Sequence, residues 1–186
     1  MSGTGRILTA GPAGGVPSSR MEFDLDPPHG VGSLRLGMGV DGTRAALSVF
    51  GEVSGSLATG LWVHRRGGVS INPGFSPSGR LDAIELHGSP EQEFDVVRYR
   101  DVDVFGLPAL DVAERLRRHT TVRVEPDDEA CFTAPDLVLA FWRPFAADDD
   151  PEDWPGYHVN SVLLAAPGYY DTPAEAARRQ AAADLR

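Results

Sequence analysis

Apolar runs in this chain are short, and glycine or proline interrupts nearly every one: of 186 residues, 21 are Gly and 15 are Pro. Such punctuation favours many short elements joined by turns, since glycine accepts positive φ and proline lacks a backbone donor. Residues 31–36 read as a strand entry, broken by Gly37-Met38-Gly39. Val40, Ala45, Leu47 and Phe50 recur at helical spacing up to Gly51, which predicts a helix over residues 40–50. Residues 61–65, 69–72, 81–87 and 94–99 are β-rich and are separated by Gly67-Gly68, Asn72-Pro73-Gly74 and Gly88-Ser89-Pro90, the pattern of an antiparallel meander.

The pattern then begins again. Residues 102–105 are apolar, Gly106 breaks them, and Leu110, Val112, Ala113 and Leu116 share one side of a predicted helix over 108–119. Arg115, Arg117 and Arg118 stand near its carboxyl end, where the helix dipole favours cations. Strand-like runs follow at 121–125, 137–142 and 159–165, separated by acidic loops at 127–129 and 148–153. Thr172-Pro173-Ala174-Glu175 is a capping box, so residues 173–185 start as a helix whose alanine-rich face offers little to dock.

This pass gives a fold class of α+β: two tandem helix-plus-antiparallel-strand units forming a continuous or paired antiparallel sheet, with helices on one face. The organisation expected is a disordered Gly/Ser/Ala/Pro lead over 1–20, a domain over 21–170 made of repeats at about 31–99 and 102–170, and a surface helical tail over 171–186. Met21 is an alternative start to Met1, since the texture changes there.

Composition narrows the function. The net charge is −10, and all 17 basic residues are arginine. Without lysine there is no Schiff-base or P-loop chemistry, and an acidic surface repels a nucleic-acid backbone. One cysteine, Cys131, excludes an internal disulfide and any cysteine-rich metal site. No stretch approaches the roughly 20 apolar residues of a membrane-spanning helix, and the lead lacks the apolar run of a secretory signal. The expectation is a cytoplasmic protein with a protein partner, a basic one by charge complementarity to this acidic chain, and with no cofactor, nucleic acid or membrane.

Gly32-Ser33-Leu34-Arg35-Leu36-Gly37-Met38, followed by a short helix and Phe50-Gly51, resembles the signature of small αβ repeat domains. These occur in the β-lactamase inhibitory protein and in outer-membrane lipoproteins of the BamE/SmpA type. In such units glycine turns the chain and methionine fills the space under the helix. The resemblance implies an architecture used for protein binding. The pattern departs at the helix cap, where Gly39 and Val40 replace the usual Thr or Ser, so that Asp41 or Thr43 is expected to cap.

Candidate chemistry is sparse. Gly37-Met38-Gly39-Val40-Asp41-Gly42 satisfies G-x-G-x-x-G, but hairpins rather than a βαβ crossover follow, so structural glycines account for it better. The five histidines lack metal-ligand spacing, and the acidic loops lack the ligand order of an EF-hand, leaving no metal site. Glu85 and His87 share one face of a predicted strand and, with Arg98, define an alternative ligand or enzyme site on the first sheet.

The aromatic and acidic stretch over 141–157 is the stronger candidate. Trp142, Asp148, Asp149, Asp150, Trp154 and Tyr157 combine aromatic anchors with a charged rim, as protein-binding hot spots do. Because both faces of 137–142 are apolar, Trp142 belongs either to a covered strand or to a face that awaits a partner. The function expected is therefore a non-catalytic protein-binding module, of the kind that serves as an immunity or inhibitor protein against a toxin or enzyme. The alternative is a small-ligand-binding protein or enzyme using Glu85, His87 and Arg98.

Overall fold

A computed structural model of the chain describes residues 20–90, 95–125, 128–171 and 174. Residues 1–19 of the expected lead, and all of the expected helical tail except Asp171 and Ala174, lie outside the described residues.

The first half of the chain opens with strand β1 (Glu22–Asp26), whose alternation buries Phe23 and Leu25 and exposes the acidic residues between them. Two short strands, β2 (Gly30–Val31) and β3 (Leu34–Arg35), lead to helix α1 (Val40–Leu47). Then come β4 (Val53–Ser56), β5 (Gly60–His64), β6 (Ser70–Phe75) and β7 (Leu81–His87). The second half runs β8 (Val96–Tyr99), β9 (Val102–Asp103), helix α2 (Ala109–Leu116), β10 (Arg123–Glu125) and β11 (Asp128–Ala134). A 3-10 turn at Pro135–Leu137 precedes β12 (Leu139–Trp142), and the four-residue helix α3 (Trp154–Tyr157) precedes β13 (Ser161–Ala165).

These strands form two sheets, one of five in the order β3-β2-β1-β8-β9 and one of eight in the order β10-β11-β12-β13-β7-β6-β5-β4. The expected pair of helix-plus-strand units with helices on one face is therefore corrected: the protein is sheet-rich, with three α-helices among the described residues. The reason lies in the segments ahead of each helix. β1 pairs in parallel with β8, so residues far apart in sequence build a second sheet that no local hydrophobic period announces.

One register line explains the eight-stranded sheet. Val53, Val63, Ile71, Leu86, Val162, Phe141, Phe132 and Val124 are successive cross-strand partners across all eight strands. Because strand side chains alternate, this single row commits one face to the core. Six of the eight residues, from Val63 to Phe132, are buried, and Phe132 stacks on Phe141 at 4.7 Å between centroids. α1 packs on β3 and β5, α2 packs on β9, and Phe23 of β1 meets Phe50 at 5.2 Å, so both sheets share one core.

The helix starts are set by backbone rather than side-chain caps. Gly39 bridges Arg80 ahead of β7, and Pro108 bridges His158 ahead of β13. The expectation that Asp41 or Thr43 caps α1 is not met: Gly39 is the N-cap with no side-chain cap bond. Thr43 is fully buried instead, and its hydroxyl donates to the Gly39 carbonyl at 3.0 Å. The G-x-G-x-x-G turn is likewise occupied, with the Gly37 amide donating to the Leu81 carbonyl and the Leu81 amide to that of Met38.

A buried ion pair fastens the two sheets. Arg65, just after β5, donates from Nε to Asp95 at 2.6 Å and from a terminal nitrogen to the Phe50 carbonyl at 2.6 Å. Asp95, just before β8, also accepts from the amides of Val69 and Met21, both at 3.1 Å. Its carboxylate occupies the space that a Cβ on Gly68 would need, so residue 68 must be glycine. Removing one partner strands a buried charge, which costs about 3–5 kcal/mol. Asp95→Ala is accordingly expected to lower stability by that amount in urea unfolding, and combining it with Arg65→Met should restore part of the loss.

Candidate functional site

The face opposite the buried row of the eight-stranded sheet exposes side chains on β5 and β12, while the segment after β13 brings Tyr170 close to Glu85 and into one pocket with Thr133. The first row of this face runs His64, Ser70, His87, Ser161, Trp142 and Cys131 across six strands. A second row, displaced by two residues, contains Asn72, Glu85, Leu163, Ala140, Thr133 and Arg123. Trp62, opposite Ser54, projects from the same face of β5. Trp62 and Trp142 are 44% and 47% exposed, although both stand in strands whose neighbouring residues are core.

The centre of the face is a connected polar network. The Glu85 carboxylate lies 3.3 Å from His87 Nε2, and the same nitrogen lies 3.1 Å from the Asn72 amide nitrogen. Asn72 donates to the neutral imidazole, whereas a protonated His87 turns that nitrogen into a donor toward Glu85. The His87 hydrogen bond, aided by its charge and by a bond from Ser161, holds the Glu85 carboxyl below the ordinary carboxylate range, against the opposing effect of burial. Beside them His64 Nδ1 and the Ser70 hydroxyl are 2.8 Å apart. Ser161 bonds to the carboxylate rather than to an imidazole, whereas Ser70 stands directly opposite His64 in register and within hydrogen-bond reach of its ring.

Trp142 from one expected site and Glu85 and His87 from the other share this face. Trp142 and His87 flank Ser161 in one register row, so only β13 separates the aromatic anchor from the Glu85–His87 pair. Arg98 does not join them. It lies on β8 in the five-stranded sheet, with its guanidinium 3.6 Å from Glu22. The choice left open for Trp142 falls on the exposed side, because the alternation of β12 turns Leu139 and Phe141 inward.

The loop from β12 to β13 brings the remaining candidates to the Trp142 end. Arg143, only 3% exposed, grips Asp148 through two contacts of 2.6 and 3.1 Å and donates to the carbonyls of Gly156 and Glu129. Asp148 is thus a structural counter-ion, while Asp149 and Asp150 face solvent. Trp154 and Tyr157 are half-buried around His158, Trp154 stacked at 5.4 Å and Tyr157 edge-on at 5.1 Å. Among the described residues no group of three or more His, Cys, Asp or Glu is placed to hold a metal ion, and no helix is long and apolar enough to cross a membrane. Of the first acidic loop, Asp127 is outside the described residues, and Asp128 and Glu129 begin β11.

Sequence reading passed over Trp62, His64, Ser70 and Asn72. The alternation Leu61-Trp62-Val63-His64 carried the signal, since Leu61 and Val63 are buried and the residues between them must face outward. No family model, no curated protein and no solved structure matches the chain.

Burial lowers the pKa of His158 below 6.5, opposed by a backbone hydrogen bond with Trp154, and its Nδ1 is buried with no partner among the described residues. The neutral ring is therefore the packed form. The stability it contributes is complete above pH 6.5 and is lost as pH falls through the lowered folded value. With Trp62 and Trp142 replaced by Phe, Trp154 emission is expected to titrate below pH 6.5, and in a further His158→Leu variant to stay flat over that range.

Proposed function

We propose that the protein is a non-catalytic binding module that docks a protein partner on the open face of its eight-stranded sheet, at the Trp142 end. The observation that carries this reading is an exposed tryptophan, 47% accessible, fixed in a strand that leads directly into the acidic loop, whose Asp149 and Asp150 face solvent. Large aromatics on a rigid surface supply most binding energy at protein interfaces, and rim carboxylates steer a partner of opposite charge. The partner is therefore a basic protein surface. A net charge of −10 supports the same polarity.

Within this class, neutralisation of an enzyme or toxin, as an immunity or inhibitor protein does, is the reading favoured by an acidic surface with an exposed aromatic anchor. Pull-down with the tagged protein from its source lysate, followed by kinetics on the captured partner, tests it. Trp142→Ala is expected to weaken binding by at least about tenfold, on the order of 1.4 kcal/mol. Asp149→Lys with Asp150→Lys should lower the association rate and flatten its salt dependence. Unchanged kinetics in both variants would refute this surface.

A further inference from the structure

We propose that the groove at the other end of the same face, around Trp62, is a separate binding site for a neutral saccharide. The groove is shallow and open, offers about 560 Å³, and is lined by Thr59, Trp62, His64, Ser70, Asn72 and His87, among others. Small-molecule sites occupy on the order of 300–1,000 Å³ and combine an apolar wall with a few placed polar groups.

Trp62 provides the wall. Gly55 on the neighbouring strand has φ 82°, and a Cβ there would collide with the Gly60 carbonyl, so β4 carries no side chain at that position beside the Trp62 indole. The exposed Trp62 indole is a flat group with an electron-rich face, suited to the C–H face of a sugar ring.

The polar lining decides the ligand's charge. Thr59 and Ser70 supply hydroxyls, Asn72 an amide, and His64 and His87 imidazoles, so donors and acceptors alternate without a lysine or arginine. Phosphate and carboxylate ligands need such a cation or a nest of backbone amides. Cationic ligands need a cage of aromatics or an available carboxylate, whereas this groove has one indole, and the nearest carboxylate, Glu85, is engaged by His87 and Ser161. A ligand that is uncharged, ring-shaped and rich in hydroxyls fits what remains.

Two strand spacings separate Trp62 on β5 from His87 on β7, a span of about 10 Å. The bonds already present, His64 to Ser70 and Asn72 to His87, fix these side chains before a ligand arrives and so reduce the ordering cost of binding.

The site is independent of the protein-binding surface and fails or stands separately. The full chain is to be titrated with maltotetraose, cellotetraose, xylotetraose and chitotetraose by calorimetry and amide NMR. The expectation is that at least one binds with a Kd of about 1 mM or tighter. Trp62→Ala and Asn72→Ala should each weaken it at least about tenfold, Trp62→Phe should retain part of it, and Trp142→Ala should leave it unchanged while reducing partner binding. Absence of binding by all four sugars at about 10 mM would overturn the proposal, as would binding that survives Trp62→Ala in a variant with unchanged circular dichroism.

Discussion

The Arg65–Asp95 pair is the contact on which the relation between the two sheets rests. One carboxylate takes two bonds from a guanidinium and two from backbone amides, and these donors come from the β5–β6 connection and from the entry to β1. A charge held this way in the interior is tolerated because all its acceptor positions are answered, and it is unforgiving because none can be dropped. The glycine at 68 and the carbonyl of Phe50 are part of the same arrangement. Through it the packing of α1 and the position of the parallel β1–β8 seam are coupled to the edge of the larger sheet.

From that anchoring the division of the large sheet follows. A continuous apolar row across eight strands dictates the core face, and the alternation of the strand turns the intervening residues to the opposite face. The open face therefore inherits its geometry from the core. His87, Ser161 and Trp142 stand in line because Leu86, Val162 and Phe141 do. A one-residue slip anywhere would drive Glu85 or His87 into an apolar interior, so the spacing of the exposed groups is held as firmly as that of the buried ones.

The sequence spoke clearly where an element is long enough to repeat its own period. Helices over Val40–Leu47 and Ala109–Leu116 and the strand Leu81–His87 were legible because local apolar spacing and the glycines around them agree. β2, β3 and β9 have two residues each, too few to show alternation, and their pairing depends on contacts across the fold. β11 was hidden by its acidic start at Asp128 and Glu129, which reads as a solvated loop, although Phe132 and Ala134 are buried. The candidate residues were legible by type but not by address. Glu85, His87 and Trp142 fall on one face, yet Arg98, equally plausible in one dimension, belongs to the other sheet.

The central seam of the large sheet pairs Ile84 with Leu164, 80 positions apart in the chain. Until β13 is synthesised and docked, β7 is the exposed border of a four-stranded half-sheet, a ready template for any extended segment. Closing so long a loop is entropically slow, and folding dominated by distant pairings takes longer than folding dominated by neighbours. The nascent chain therefore passes through a period in which its future midline is an open edge, and conditions that prolong that interval favour edge-to-edge association over completion of the sheet.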